Sequence, residues 1–417
     1  MQLPAEFLQN TRLTMGDARF ERYLSSFEEL APVSIRLNPL KAPAGHAAGG
    51  GQGLLYDAEP VPWCPVGYYL GQRPNFTFDP LFHAGCYYVQ EAASMFIDRV
   101  LRQYVDRPVR MLDLCAAPGG KSTAARSALP QGSVLVSNEP LRKRAQVLLE
   151  NVAKWGYADS IVTNAYPKDF SKRGQQFEVV LCDVPCSGEG MFRRDAATIG
   201  EWSTASVEHC WQLQRDIVSE AWQCLRPGGL FVYSTCTFNT KENEENVRWM
   251  MEQLDVDGVL PVGVLPEWAI TGALLSGFSQ PVYRFIPGIT RSEGLFVAVL
   301  RKRGQLSDEP LRLDVGGLSL TVGGEPSAAD ALSVALPPGR YPQAEVDYAT
   351  AIAYLRGEAI RLQPDVARGP VVVSFMGRRL GFAKNIGTRA NNLYPKEWRI
   401  KSTYIPKAYE TLFRPVE

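Results

Sequence analysis

Between residues 109 and 254, short apolar runs alternate with stretches of helical periodicity, and this alternation constrains the fold more than any other feature of the chain. "VRMLDLC" (109–115), "GSVLVSNE" (132–139), "SIVTNA" (160–165), "FEVVLCDVPCSG" (177–188) and "GGLFVYSTCTF" (228–238) are strand-like. "KSTAARSAL" (121–129), "LRKRAQVLLENVAKWG" (141–156) and "NEENVRWMMEQL" (243–254) have helical pattern. Strands and helices alternating at these lengths build a mostly parallel sheet covered by helices on both faces, an α/β fold of Rossmann-like type. In such sheets ligands sit beyond the carboxyl ends of the strands. Cys115, Glu139, Asp183 and Cys236 are the residues expected there.

The turn after the first strand, Cys115-Ala116-Ala117-Pro118-Gly119-Gly120-Lys121-Ser122, ends as a nucleotide-triphosphate loop does. That loop requires a glycine where Cys115 stands. Pro118 also removes one of the backbone donors that a phosphate nest needs. The Gly-x-Gly-x-x-Gly dinucleotide fingerprint is missing as well. What remains is the strand, glycine-rich turn and helix against which S-adenosylmethionine sits in a Rossmann-like sheet. Glu139, ending the second strand, is then placed to accept the ribose hydroxyls of a bound adenosine. Its bland alternative is a surface carboxylate.

Composition narrows the partners. The 417 residues suffice for two or three domains with a well-buried core. Lysine plus arginine and aspartate plus glutamate both number 44, so a nucleic-acid surface has to be a local patch. Neither a long apolar run nor a charged-then-apolar N-terminus suggests a membrane span or a secretory signal. Eight cysteines and three histidines are present, and the one close cysteine pair, Cys182 and Cys186, has no second pair at zinc spacing. A reduced, cytoplasmic protein without a metal is expected.

Two thiols stand out from this background. Cys186 follows Pro185, which stiffens its loop, and Gly188 and Gly190 let backbone approach a ligand closely. Cys236 ends a strand where the sheet opens, whereas Cys182 reads as a small buried hydrophobe. Carbon 5 of a pyrimidine is too electron-poor to attack a methyl sulfonium. A thiolate adding to carbon 6 makes it a nucleophile, and a carboxyl group near ring nitrogen 3 stabilises the charge that develops. Chemistry alone does not rank the two thiols.

"CAAPGGKS", "DVPCSGEGMFRRD" and "STCTFNTKENEENV" together resemble the Sun-type RNA cytosine carbon-5 methyltransferases, in particular their RsmF-like bacterial ribosomal RNA branch. "PVSIRLNPLK" (32–41) and "GCYYVQEAASM" (85–95) are similar to the family's N-terminal part, and "RANNLYPKEWRIKS" (389–402) to its PUA-like RNA-binding module. The resemblance implies that Cys236 is the nucleophile and Cys186 the thiol that helps release product. It implies that Cys115 through Lys121 wrap the cofactor, with Glu139 on its ribose. Asp183 would meet cofactor or target base, and Lys121 would reach the active centre. The family's acidic residue after the third strand is replaced by Tyr166, so adenine either stacks on Tyr166 or meets Asp169 on a shifted loop. Pro287-Gly288 stands where the family has Pro-His.

These readings divide the chain into an N-terminal RNA-binding domain (1–75), a methyltransferase domain (76–305), a linking C-terminal domain (306–365) and a PUA-like module (366–417). "PAGHAAGGGQG" (43–53) reads as a flexible connection, 87–104 as helical, and 285–305 as a closing hairpin. Near the C-terminus Lys384, Arg389, Lys396, Arg399 and Lys401 are interleaved with Tyr394 and Trp398, a pattern that suits phosphate attraction and base stacking. The expected substrate is small-subunit ribosomal RNA, naked or in the 30S particle, acted on by a monomer. The competing readings are methylation of transfer RNA and a non-catalytic ribosome assembly factor.

Overall fold

The structure, a computed structural model, describes residues 3–42, 57–307, 313–402, 404, 406 and 412–413. The glycine-rich stretch 43–53 lies outside the described residues. The chain opens with helices α1 (Ala5–Met15) and α2 (Asp17–Ser25). A small antiparallel sheet follows, ordered β2-β3-β1-β4, from β1 (Val33–Leu37), β2 (Glu59–Pro60), β3 (Gly67–Leu70) and β4 (Tyr87–Val89), with the short helix α3 (Pro80–His83) before β4.

The expected alternation comes next. It runs α4 (Phe96–Tyr104), β5 (Arg110–Asp113), α5 (Gly120–Ala128), β6 (Val134–Asn138), α6 (Arg142–Trp155) and β7 (Ser160–Thr163). Then come α7 (Pro167–Lys172), β8 (Phe177–Asp183), α8 (Ala197–Glu201), α9 (Thr204–Gln223), β9 (Leu225–Thr235), α10 (Glu244–Gln253), β10 (Val256–Val259), β11 (Val282–Phe285) and β12 (Leu295–Lys302). The sheet order is β10-β12-β9-β8-β5-β6-β7-β13, where β13 is Ser319–Leu320 and β11 pairs with β12. Strands β9, β8, β5, β6 and β7 are parallel, while β10, β11, β12 and β13 are antiparallel additions. Strand β5 has β6 on one side and β8 on the other, so the chain reverses direction across the sheet there, and the crevice at its carboxyl end is where a ligand fits. The final unit holds α11 (Ala328–Leu332), β14 (Gln343–Glu345), α12 (Tyr348–Leu355), β15 (Gly369–Phe375), β16 (Arg378–Asn385) and β17 (Ala390–Asn392). Its sheet runs β14-β15-β16-β17.

Three expectations change. The segment 87–104 is helical only from Ala93, first as a 3-10 turn and from Phe96 as α4. Its first residues form β4, which pairs with β1 and ties the stretch to the N-terminal sheet, so that sheet runs past residue 75. The catalytic sheet likewise continues past 305, because β13 adds antiparallel to β7. The last sheet draws its first strand, β14, from 343–345, well before residue 366. Boundaries drawn from composition miss all three because strand pairing joins segments far apart in sequence.

The Arg-Leu-Asn-Pro stretch explains how the N-terminal sheet seats on the catalytic one. Arg36 is fully buried; its Nε donates to Gln90 Oε1 at 2.7 Å, its Nη2 to Thr123 Oγ1 at 2.6 Å, and its guanidinium lies 4.4 Å from the Trp155 ring. Asn38 Nδ2 donates to the carbonyls of Gly85 and Trp155, both at 2.9 Å. The Pro-Gly of the late hairpin has a packing cause. Gly288 takes φ +79°, and a Cβ there would stand 2.2 Å from the Arg22 carbonyl oxygen, so α2 approaches this turn only over a glycine.

Candidate active site

Strands β8 and β9 end side by side, with Asp183 opposite Ser234, and the two loops that leave them carry the thiols. Cys186 Sγ and Cys236 Sγ are 2.9 Å apart, and the Cys236 N–H donates to Cys186 Sγ at 3.3 Å. The hydrogen bond to Cys236, with burial next, pushes the Cys186 thiol far up. The thiolate is the form of a cysteine that attacks carbon. Gly190 makes the approach possible: its N–H donates to the Cys236 carbonyl at 2.7 Å, and a Cβ would lie 2.6 Å from that oxygen. Cys182 is buried in the core, as expected from its place within a strand.

Asp183 and Lys121 form the charged half of the site. Lys121 Nζ donates to Asp183 Oδ2 at 2.8 Å, and Ser234 Oγ donates to Oδ1 at 2.7 Å. Burial alone lowers the Lys121 pKa, but the Asp183 charge and hydrogen bond outweigh it and leave a net rise. Lys121 therefore stays an ammonium, paired with Asp183.

A further group is not evident from the sequence. Glu242 is fully buried and accepts from Ser187 N–H at 3.0 Å, Ser187 Oγ at 2.5 Å, Gln214 Nε2 at 2.7 Å and Asn239 Nδ2 at 2.7 Å. Gln214 also reaches the Pro185 carbonyl at 2.9 Å, so the loop is gripped on both sides of Cys186. Glu189 performs the same service for the Cys236 loop, accepting the N–H groups of Phe238 and Asn239 at 2.7 and 2.9 Å. The available signal is a set of carboxylates within a few residues of the two thiols, but an acid-rich helix start normally reads as a solvated face.

The glycine-rich turn lies at the carboxyl end of β5. Ala116 N–H bonds the Asn138 carbonyl at 2.8 Å, Gly119 takes φ +110°, and no side chain caps the start of α5. Asp113 is fully buried; Ser122 Oγ donates to its Oδ2 at 2.6 Å, and its Oδ1 has no partner among the described residues. Burial lifts this carboxyl to about 7 and pushes the thiol of Cys115 up as well. Glu139 directly follows β6, covered by Arg144, whose guanidinium lies 3.3 Å from its Oε2 and also reaches the Ala117 carbonyl at 3.1 Å. Pro118 turns its carbonyl to Asn151 at 2.8 Å. Tyr166 is 57% exposed at the start of α7, and Asp169 accepts its N–H at 2.9 Å, so Asp169 closes the helix end. An uncapped helix start, an unpartnered carboxylate oxygen and an acidic strand end suit a ligand with a carboxylate at one end and an amine and a ribose at the other.

The C-terminal aromatics are not where base stacking needs them. Tyr394 and Trp398 are buried, packed on each other at 5.9 Å and, for Tyr394, on Tyr354 at 5.5 Å. Their spacing reflects the core of the last unit. Lys384, Arg389, Lys396 and Lys401 are exposed, while Arg399 is half-buried behind Gly357.

Comparison with known proteins agrees along the chain. The N-terminal domain of 16S rRNA methyltransferase RsmF matches residues 3–92, 16S rRNA methyltransferase RsmB/F matches 103–301, and the methyltransferase RsmF PUA domain matches 341–400. Ribosomal RNA small subunit methyltransferase F of Pectobacterium atrosepticum is 34% identical over 317 residues, covering 74% of this chain; the match spans just 64% of that relative's length. The protein of the same name from Aliivibrio fischeri is 32% identical, covering 75% of this chain and 67% of the relative. That from Klebsiella pneumoniae is 28% identical, with 94% and 96% covered. Among solved structures, a methyltransferase homolog protein from Pyrococcus horikoshii superposes with a TM-score of 0.56 at 26% identity, covering 72% of this chain and 100% of that one. NSun6 from the same organism, solved with SFG, shares the fold with a TM-score of 0.59 at 19% identity, with 72% and 99% covered. Three family domains in order along one chain, and a relative at 32% identity covered over two thirds, establish that this chain belongs to the RsmB/F methyltransferase family.

Proposed function

We propose that this chain transfers a methyl group from S-adenosylmethionine to carbon 5 of cytosine in RNA, with small-subunit ribosomal RNA as substrate and the cytoplasm as its place of action. The observation that carries the reading is the thiol pair, 2.9 Å apart beyond β8 and β9 and adjoining the Lys121–Asp183 pair. The names of the relatives, and the match to a PUA domain over 341–400, support the substrate class. Bound S-adenosylmethionine supplies an electrophilic methyl group; Cys115 through Lys121, Glu139, Tyr166 and Asp183 are the residues that would hold it.

The chain's own part follows from the geometry. Cys236 adds through Sγ, as the attacking thiolate, to carbon 6, and the electron pair of the carbon 5–carbon 6 bond moves toward nitrogen 3. The Asp183–Lys121–Ser234 group holds charge and a proton where that pair arrives. The ring is then nucleophilic at carbon 5. Once carbon 5 carries the methyl group, it must lose its original proton. That proton passes to solvent, and its C–H electron pair re-forms the carbon 5–carbon 6 double bond while Cys186 stays a thiol beside the Cys236 sulfur. The carbon 6–sulfur bond then breaks and Cys236 leaves as thiolate.

The test compares wild type, Cys236→Ala and Cys186→Ala with labelled S-adenosylmethionine and small ribosomal subunits. Cys236→Ala should lose transfer by roughly three orders of magnitude or more. Cys186→Ala should accumulate protein covalently attached to RNA in denaturing gels. An adduct that requires Cys186 reverses the roles. Absence of transfer by wild type to subunit, free ribosomal RNA and transfer RNA would leave an assembly factor as the better reading.

A further inference from the structure

A cavity of about 230 Å³ lies between the segment that follows β1, Ala84 at the end of α3, the end of α11 and the β15–β16 turn. Lys41, Arg378 and Arg379 line it, and no carboxylate does among the described residues. Each cation is anchored by neutral carbonyls. Lys41 Nζ donates to Ala84 and Lys154 at 3.1 and 2.6 Å, Arg378 Nη2 to Ala42 at 3.3 Å, and Arg379 to Ser333 and Leu336, both at 3.2 Å. Arg378 Nε is buried without a partner among the described residues. The nearby Glu345 carboxylate is already occupied by Ser374 Oγ at 2.7 Å and Gly377 N–H at 3.1 Å. Burial, and then the neighbouring Arg379, brings Lys41 down to about 7, as expected where cations are gathered without an anion.

Gathering three cations is costly unless something neutralises them. Structural capping explains part of the arrangement, since Lys41 closes the carbonyl end of α6. It does not explain why Arg378 and Arg379 face the same hollow with a donor left over. The hollow has room for a phosphate group and several waters, at roughly 30 Å³ per water. Guanidinium groups suit phosphate oxygens in particular.

We infer that the Lys41–Arg378–Arg379 cavity is a binding site for a backbone phosphate of the RNA substrate, tying the N-terminal, catalytic and C-terminal units to one strand. This rests on the RNA reading proposed above. The same chemistry admits free inorganic phosphate, which the test separates.

Full-length wild-type protein would be treated with acetic anhydride near neutral pH, and acetylation of Lys41 read by mass spectrometry. Three arms are compared: no addition, millimolar inorganic phosphate, and a micromolar fragment of small-subunit ribosomal RNA. RNA should slow Lys41 acetylation at least fivefold. In parallel, fluorescence anisotropy of the same RNA gives the slope of log affinity against log salt. Arg378→Gln and Arg379→Gln should each reduce that slope by about one, provided their melting temperatures match wild type. Protection by phosphate alone makes this a free-anion site and overturns the proposal. So does RNA binding that leaves Lys41 acetylation and both slopes unchanged, and in that case the RNA reading survives. A wild type that does not bind RNA at all sinks both.

Discussion

Glu242 shows how a residue unremarkable in the sequence comes to control a catalytic loop. Its carboxyl gathers the Ser187 backbone and hydroxyl, Gln214 and Asn239, and so fixes the direction of Cys186. Burial is the main cause that lifts it from its ordinary 4.5 to about 7. A folded value above the unfolded one means that this group's contribution to stability is fully present below about 4.5 and lost as pH rises through about 7. Asp113 titrates in the same direction and nearly the same window, so a difference measurement is needed. Urea melts of wild type and Glu242→Gln between about pH 5 and 7.5 should show wild type losing ground to the variant as pH rises, whatever their offset. A constant gap would remove the ionisation argument. Cys186, Cys236, Asp183 and Lys121 are all legible in the sequence, because each sits in a short motif at a strand end. Glu242 is not, because its burial is imposed by α9 and by the Ser187 loop, both remote in sequence.

The elements themselves are largely legible from 109 to 254, where alternation of period two and period 3.6 is unbroken. The exceptions are instructive. Residues 87–89 continue an apparent helical pattern yet pair with β1, since the hydrogen bonds of a free strand edge outweigh a weak local preference. Tyr394 and Trp398 suggest a stacking surface because aromatic spacing is the same whether the rings face solvent or a core. The Arg36 docking contact makes a prediction at this scale. Arg36→Met keeps much of the volume but leaves Gln90 and Thr123 without their buried donor, and should cost about 2–4 kcal/mol in urea unfolding. A loss within about 0.5 kcal/mol would mean that the N-terminal sheet is held by its apolar contacts alone.

Over the whole molecule, a single apolar cluster passes through all three units: Ile35 and Tyr87, Met111 and Leu135, and Tyr354 and Val373 belong to it. Strand β13 stitches the connecting segment onto the catalytic sheet, and Lys154 at the end of α6 lies 5.7 Å from the Trp398 ring. Units that share a core unfold together, so calorimetry of the full chain should give one transition with equal calorimetric and van't Hoff enthalpies. Two resolved transitions would show the last sheet to be an independent domain. No helix among the described residues is long and apolar enough to cross a membrane. Local sequence was sufficient for the order of strands and helices, the glycine-rich turn and the choice of candidate reacting side chains, since each depends on residues a few positions apart. Folding alone brought Cys186 to Cys236 across 50 residues, buried Glu242 against the Ser187 loop and left a cationic hollow with no carboxylate lining it among the described residues. Burial and charge neutralisation depend on what packs from elsewhere in the chain, and that is a property of the tertiary structure.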